Sequence, residues 1–347
     1  MNVRERVLAA IQHKTLDRFP TDIWATPEVW AKLRKYLGVN DNLQVYEELA
    51  IDGIFEILPP YVGSLRKNEN GIHYNEWGMG FRAQSYGAGV YDEQVVYPLA
   101  KAETIADLEV YPWPSPDDYD YSFIQKFADE HAGRVISCGY TAVFYYHNLL
   151  RGLERSMMDP IEKPEFTHYL VKTISNVFTE FHRRCFEAGN GRIDLTQVTD
   201  DFGSQRGLLI SPRLFDQFYR QPIQRGIDLA HSYGLMVFHH DDGDMRSLLP
   251  RLVQMGIDIL NPIQWRCGDW DLASLKSEFG SQLCFHGAID NQYTLPFGTP
   301  QEVKDEVRRM KENLGRDGTG YIIAPCHNIQ SNTPVENIIA MYEAVRE

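Results

Sequence analysis

Apolar residues along this chain fall into two regimes that alternate. Eight short runs read as strands: RFPTDIW (18–24), IDGIFEIL (51–58), RVISCGY (134–140), RIDLTQV (192–198), GLMVFHH (234–240), IDILNPI (257–263), QLCFHGA (282–288) and GYIIAPC (320–326). Between most of them lie segments of helical period, at 160–188, 211–232, 244–255 and 300–314, and residues 2–13 read as a first helix with Val3, Val7, Leu8 and Ile11 on one face. Ser211-Pro212 and Thr299-Pro300 each place a capping hydroxyl before a proline at the first helical position. Strands mostly free of internal charge, alternating with helices, are the pattern of a parallel sheet covered on both faces. Eight of them predict one domain over 1–347, a closed (β/α)₈ TIM barrel.

The alternation breaks between residues 63 and 131. YNEWGMGFRAQSYGAGVY (74–91) is rich in glycine and aromatics and nearly alternating, which predicts a β-hairpin, and YPWPSPDDYD (111–120) follows as a proline-rich connection. The expectation is a lid beside the barrel mouth. Gly78, Gly80, Gly87 and Gly89 would supply turning freedom, and Tyr74, Trp77, Phe81, Tyr86 and Tyr91 an aromatic surface for ligand, with Trp77 the chosen substrate contact. A hairpin packed on the outer wall is the competing reading.

Composition narrows the function. A formal charge of −14 disfavours nucleic acid and anionic membranes, since both attract Lys and Arg. No apolar stretch approaches the ~20 residues of a membrane span, and the opening MNVRERVLAAIQHKTLDRFP turns polar too soon for a signal-peptide core, so the protein is expected in the cytoplasm. The five cysteines are odd in number, with no C-x-x-C pair; Cys138, Cys185 and Cys284 read as core, and only Cys326 has suggestive neighbours.

In such a barrel the active site forms at the carboxyl ends of the strands. Those ends carry few Lys or Glu. They hold Tyr140, Tyr145 and His147, then Asp200 and Asp201, then His239-His240-Asp241-Asp242, then Asn261 and Gln264, His286 and Asp290, and Cys326-His327-Asn328, while the second strand begins at Asp52. These types ligate metals, move protons and orient small substrates. His240 and Asp242, two apart in an extended segment, point the same way and can chelate one metal, with Cys326 or His327 as a third ligand. A hydrogen-bonded pair without metal fits the same spacing.

The stretches VFHHDDGDMRSLLPRLVQMGIDILNPIQ, CFHGAIDNQYTLPFGTPQEVKDEV, GYIIAPCHNIQSNTPVENIIAMYEAV and TDDFGSQRGLLISPRLFDQFYRQPIQ resemble the uroporphyrinogen decarboxylase superfamily, which includes zinc-dependent cobalamin methyltransferases. The likeness runs along the whole chain, and its most specific part is H-N-I-x-x-x-T-P-x-E-N-I, from His327. The decarboxylase branch carries an R-Q-A-G-R segment whose arginines hold porphyrinogen carboxylates. Here the stretch reads RFPTDIWATPEVWAKLRKYLG, without that pair, so uroporphyrinogen is disfavoured as substrate, although Asp52 stands as the candidate for that branch's catalytic aspartate.

The methyltransferase branch has a zinc site of the form H-x-C plus a distant Cys. His240 matches the histidine, Asp242 falls where the first Cys would be, and His327 or its neighbour Cys326 is the distant ligand. The resemblance therefore implies a zinc-dependent methyltransferase of O-demethylase type, passing a methyl group between a small O-methylated substrate and a corrinoid (cobalamin) on a partner protein. Asp52, Asp201, His286 and Tyr140 are the candidate catalytic residues, and Gln205, Asn261, Gln264 and Trp77 the candidate substrate contacts. Two alternatives stay open: a metal-free lyase using Asp52 with His327 or Tyr140 as proton donor, and a non-catalytic barrel binding a small molecule or corrinoid. A homodimer is also left open.

Overall fold

The helix Val3–Ile11 opens a computed structural model that describes residues 1–85 and 89–347. Its capping box closes as the sequence invites: the Asn2 side chain accepts from Glu5 N, and Glu5 reaches back to Asn2 N. This helix lies against the start of the sheet. Its Val7, Ala10 and Ile11 pack with Ile54, Val135, Leu195, Phe238, Ile259, Cys284 and Ile322, which stand at or near the first position of their strands. The amino-terminal end of the barrel is thereby sealed, and any opening lies at the other end.

The parallel strands are β1 (Ile54–Ile57), β5 (Val135–Ala142), β6 (Leu195–Thr199), β9 (Met236–His240), β10 (Ile259–Asn261), β11 (Cys284–Ile289) and β12 (Tyr321–Pro325), hydrogen-bonded in that order. Residues 20–25 join the two edges. Ile323 N donates to Pro20 O at 2.9 Å and Asp22 N to Ile323 O at 3.0 Å on the β12 side, while Gly53 N donates to Thr21 O at 2.9 Å just ahead of β1. This first predicted strand pairs by isolated bridges, Thr21 to Ile323 and Ala25 to Ile329. Pro20 has no N–H to contribute to a longer ladder. All eight apolar runs therefore take barrel positions.

Helices occupy the predicted intervals, with departures that proline explains. The 211–232 segment divides into Pro212–Leu214, a wider π turn Phe215–Tyr219 and Arg220–Ser232, because Pro222 lacks the N–H that a continuous helix would use. The helix expected from 244 starts at Leu249, with Pro250 in its first turn. Thr299 and Glu302 form the capping box of Pro300–Asn313. Among the described residues no helix is long and apolar enough to cross a membrane.

The insertion is antiparallel, as predicted, but holds three strands: β2 (Ile72–Tyr74), β3 (Gly80–Ser85) and β4 (Val90–Val96). A further two-residue ladder joins β7 (Gly203–Ser204) to β8 (Gly207–Leu208). Tyr86 and Gly87, expected in the hairpin, lie outside the described residues. Trp77 corrects the lid expectation for its own side chain. It is 2% exposed, in the β2–β3 turn that Asn75 ties down, and its ring meets Tyr146 at 4.8 Å and Phe178 at 5.2 Å. It packs into the wall of helices and does not line the barrel mouth.

Candidate metal site

At the carboxyl ends of the strands lies a cavity of about 500 Å³. Its walls include Trp24 and Trp30, Glu56 from β1, Tyr140 from β5, Gln197 from β6, Asp201, His240 and His327. The period-2 alternation of extended backbone sorts the HHDD run. His240 and Asp242 turn toward the mouth. His239 and Asp241 turn into the wall, where His239 Nδ1 donates to Val198 O, and Asp241 accepts from Phe202 N and Gly203 N. Burial lowers His239 to about 4 and raises the Asp241 carboxyl well above its ordinary range, against the opposing pull of the two backbone N–H groups it accepts from.

His240, Asp242 and His327 each present a ligand atom within 4.8 Å of the others. His240 Nε2 stands 3.7 Å from Asp242 Oδ1, and His327 Nε2 stands 3.7 Å from Asp242 Oδ2. Asp201 Oδ1 lies 3.9 Å from His240 Nε2, and its carboxyl is raised chiefly by burial. His327 is lowered, again first by burial, which favours the neutral imidazole a metal requires. Gln264 clamps the central carboxylate: its Nε2 donates to Asp242 Oδ1 at 2.9 Å while its Oε1 accepts from Gly243 N at 2.6 Å.

Behind His240 runs a relay whose direction is set by its charged end. A carboxylate oxygen accepts, so His286 Nε2 donates to Asp22 Oδ2 at 3.0 Å, which leaves the other ring nitrogen, Nδ1, to accept. Asn261 Nδ2 donates to that Nδ1 at 2.7 Å, and Asn261 Oδ1 then accepts from His240 Nδ1 at 2.5 Å. His240 is thereby held as the tautomer whose Nε2 lone pair faces Asp242 and His327. A carboxylate or amide behind an imidazole is the usual support of a metal-ligating histidine. Two neutral imidazoles and one carboxylate, with one imidazole so oriented, fit a divalent zinc-type ion.

Other predicted residues are distributed by the fold. His286 and Asn261 belong to the relay, fully behind the surface. Tyr140 lines the cavity, its hydroxyl raised first by burial and then by neighbouring tyrosines and aspartates. Gln205 accepts from Cys267 Sγ at 3.4 Å, outside the cavity lining. Cys326 points away from its neighbour His327. It is buried, its Sγ donates to Ile263 O at 3.4 Å, and burial raises the thiol well above its ordinary range, so it stays a protonated wall group outside the cluster.

Asp52 lies at the opposite end of the barrel. It precedes β1, has no exposed surface, and is held by Arg6 Nη1 at 2.5 Å, Arg18 Nη1 at 2.7 Å and Thr21 N at 3.0 Å. The expected catalytic carboxylate is thus a structural ion pair. Glu56, four residues on, is the carboxyl that enters the cavity; its Oε1 accepts from Gln197 Nε2. Its side chain is exposed within the open cavity, and loss of water to the surrounding walls, then the nearby Asp22 charge, raise it to about 7. The only signal in the sequence was a lone glutamate inside the apolar run IDGIFEIL. Trp24, whose ring centroid lies 5.5 Å from that of His240 and 6.2 Å from that of His327, and Asp22 were also missed.

A family model for uroporphyrinogen decarboxylase matches residues 82–347. The uroporphyrinogen decarboxylase of Trichodesmium erythraeum is 24% identical over 189 residues, covering 53% of this chain and 48% of that protein, so the match spans about half the relative's length. That of Legionella pneumophila is 22% identical over 359 residues, covering 98% of this chain and 96% of that protein. Among solved structures, a methyltransferase from Methanosarcina mazei aligns with a TM-score of 0.67 at 18% identity, over 100% of this chain and 98% of that one. A B12-independent methionine synthase from Shewanella sp. W3-18-1 aligns with a TM-score of 0.50 at 14% identity, over 95% and 96%. At these identities the structural likenesses show a shared TIM-barrel-like fold.

Proposed function

The chain belongs to the uroporphyrinogen decarboxylase family, and on that premise we propose that it is a zinc-dependent methyltransferase, moving a methyl group between a small O-methylated substrate and a corrinoid on a separate protein. The observation that carries this reading is the His240–Asp242–His327 cluster, with His240 Nε2 bared by the relay to Asp22. The likeness over the whole chain to the methyltransferase from Methanosarcina mazei supports it. Decarboxylation of uroporphyrinogen suits the cavity poorly: among the described residues that line it there is no Lys or Arg, and a substrate with eight carboxylates requires cations.

One carboxylate and two neutral imidazoles would leave bound zinc at about +1, a harder centre than two thiolates leave, and its contribution would be Lewis acidity toward an ether or alcohol oxygen. The chain's own residues do the rest. Gln264 fixes the Asp242 carboxylate, Asn261 and His286 fix the His240 ring, and Trp24 walls the cluster with an apolar face that limits water. Metal analysis tests the proposal. Protein reconstituted with zinc should hold one ion per chain, and Asp242→Ala should lose most of it while keeping its circular dichroism. Cys326→Ser should retain zinc and His327→Ala should not. Reconstituted protein without zinc, or an Asp242→Ala variant that retains it, would sink the reading.

A metal-free lyase remains the second reading, and Glu56 is what favours it. A carboxyl raised to about 7 inside the cavity can hold or release a proton at working pH, beside Tyr140 and His327, the proton donors of that reading. Turnover that survives a strong chelator but falls in Glu56→Gln would select it.

A further inference from the structure

A second cavity, of about 280 Å³, lies between the insertion and the helix Pro164–Gly189. Rings of Trp77, Tyr119, Tyr140, Tyr146, Phe178 and Phe181 contribute to its walls. They brace one another: Tyr119 meets Phe181 at 4.8 Å, and Tyr146 meets Phe178 at 4.8 Å. One carboxylate, Glu76, also lines it. The Tyr119 hydroxyl donates to Glu76 Oε1 at 3.2 Å, and among the described residues no ion pair reaches Glu76 and no Lys or Arg lines the cavity. From this juxtaposition we propose that the cavity is a binding site for a small organic cation with an alkylated nitrogen.

The physical case rests on matching hydration. Glu76 is half-buried at the rim of these rings with the Tyr119 hydroxyl as its hydrogen-bond donor, so a neutral apolar ligand filling the cavity would strip water from the carboxylate without compensating its charge. A metal ion or a bare ammonium would shed tightly held water for one carboxylate and ring faces, too few oxygens to replace it. An alkylated ammonium is weakly hydrated, its methyl groups fill an apolar space, and its diffuse charge is attracted by ring quadrupoles as well as by the carboxylate. The size is just below the roughly 300–1,000 Å³ usual for drug-sized ligands, which suits a small cation. Leu58 and Tyr140 wall both this cavity and the one that holds the metal cluster, so a cation lodged here abuts whatever occupies the other.

Choline and its uncharged carbon isostere are the probes, titrated into the full chain by calorimetry with tryptophan fluorescence alongside. Choline should saturate and bind at least about tenfold tighter than the isostere, and Glu76→Gln should remove about that preference while leaving isostere binding unchanged, which also shows that the variant is folded. Tyr119→Phe, which frees Glu76 but keeps the ring, should retain the preference. Asp242→Ala should leave choline binding intact, so loss of the metal reading and loss of this one are separable. Equal binding of the two probes, no saturable choline binding, or a preference abolished by Glu56→Gln in place of Glu76→Gln would overturn the assignment.

Discussion

Asn261 is the residue on which the candidate site turns, since its amide alone connects His240 to His286. Replacing it with leucine of similar volume leaves two ring nitrogens without partners and frees the His240 tautomer. Asn261→Leu is therefore expected to weaken zinc binding by roughly 10–100-fold, the usual cost of losing a partner behind a ligand, read by competition with a chromophoric chelator. Unchanged affinity would mean that the relay does not orient His240. Glu56 gives a second test. Its carboxyl titrates near 7 in the fold and at ~4.3 in an unfolded chain, so between those values the folded state holds more protons and stability falls as pH rises. Glu56→Gln removes that slope. The variant should gain on the parent between pH 5 and pH 8 by on the order of 1 kcal/mol, discounted for the water its cavity admits, in urea denaturation at the two pH values.

Elements were the most legible level. Each strand run is a local property of alternating or continuous apolar residues, and the capping signals at Thr299 and Ser211 close hydrogen bonds to Glu302 N and Leu214 N. The 211–232 segment breaks into three pieces and the 244–255 segment shortens to Leu249–Met255, each at a proline that periodicity does not register. The insertion was recognised as a hairpin, but its destination was not visible, because an aromatic-rich hairpin serves equally as lid or wall. With Trp77 packed against Tyr146 and Phe178, Trp77→Ala is expected to cost the ~3–5 kcal/mol typical of a buried large aromatic and to lower Tm sharply. An unchanged Tm would return Trp77 to the surface role first expected of it.

At the scale of the molecule, the barrel and the clustering of polar residues at one end followed from the sequence alone. A parallel strand needs a crossover helix, so alternation and count imply the architecture, and period 2 put His240 and Asp242 on one side. What only the tertiary structure decided is which distant groups meet. His286 finds its carboxylate in Asp22, 264 residues away, on a segment that joins β12 to β1 by a few bonds. Asp52 and Glu56 sit on one apolar run and differ only in which end of the strand they occupy, so one is locked between arginines beneath the barrel and the other faces the cavity. Cys326 and His327 are likewise neighbours that the backbone sends to opposite sides. Periodicity records a side chain's local direction, whereas its partner, its burial and hence its charge arise only when chain closure brings remote segments together, and the chemistry of the site rests on those.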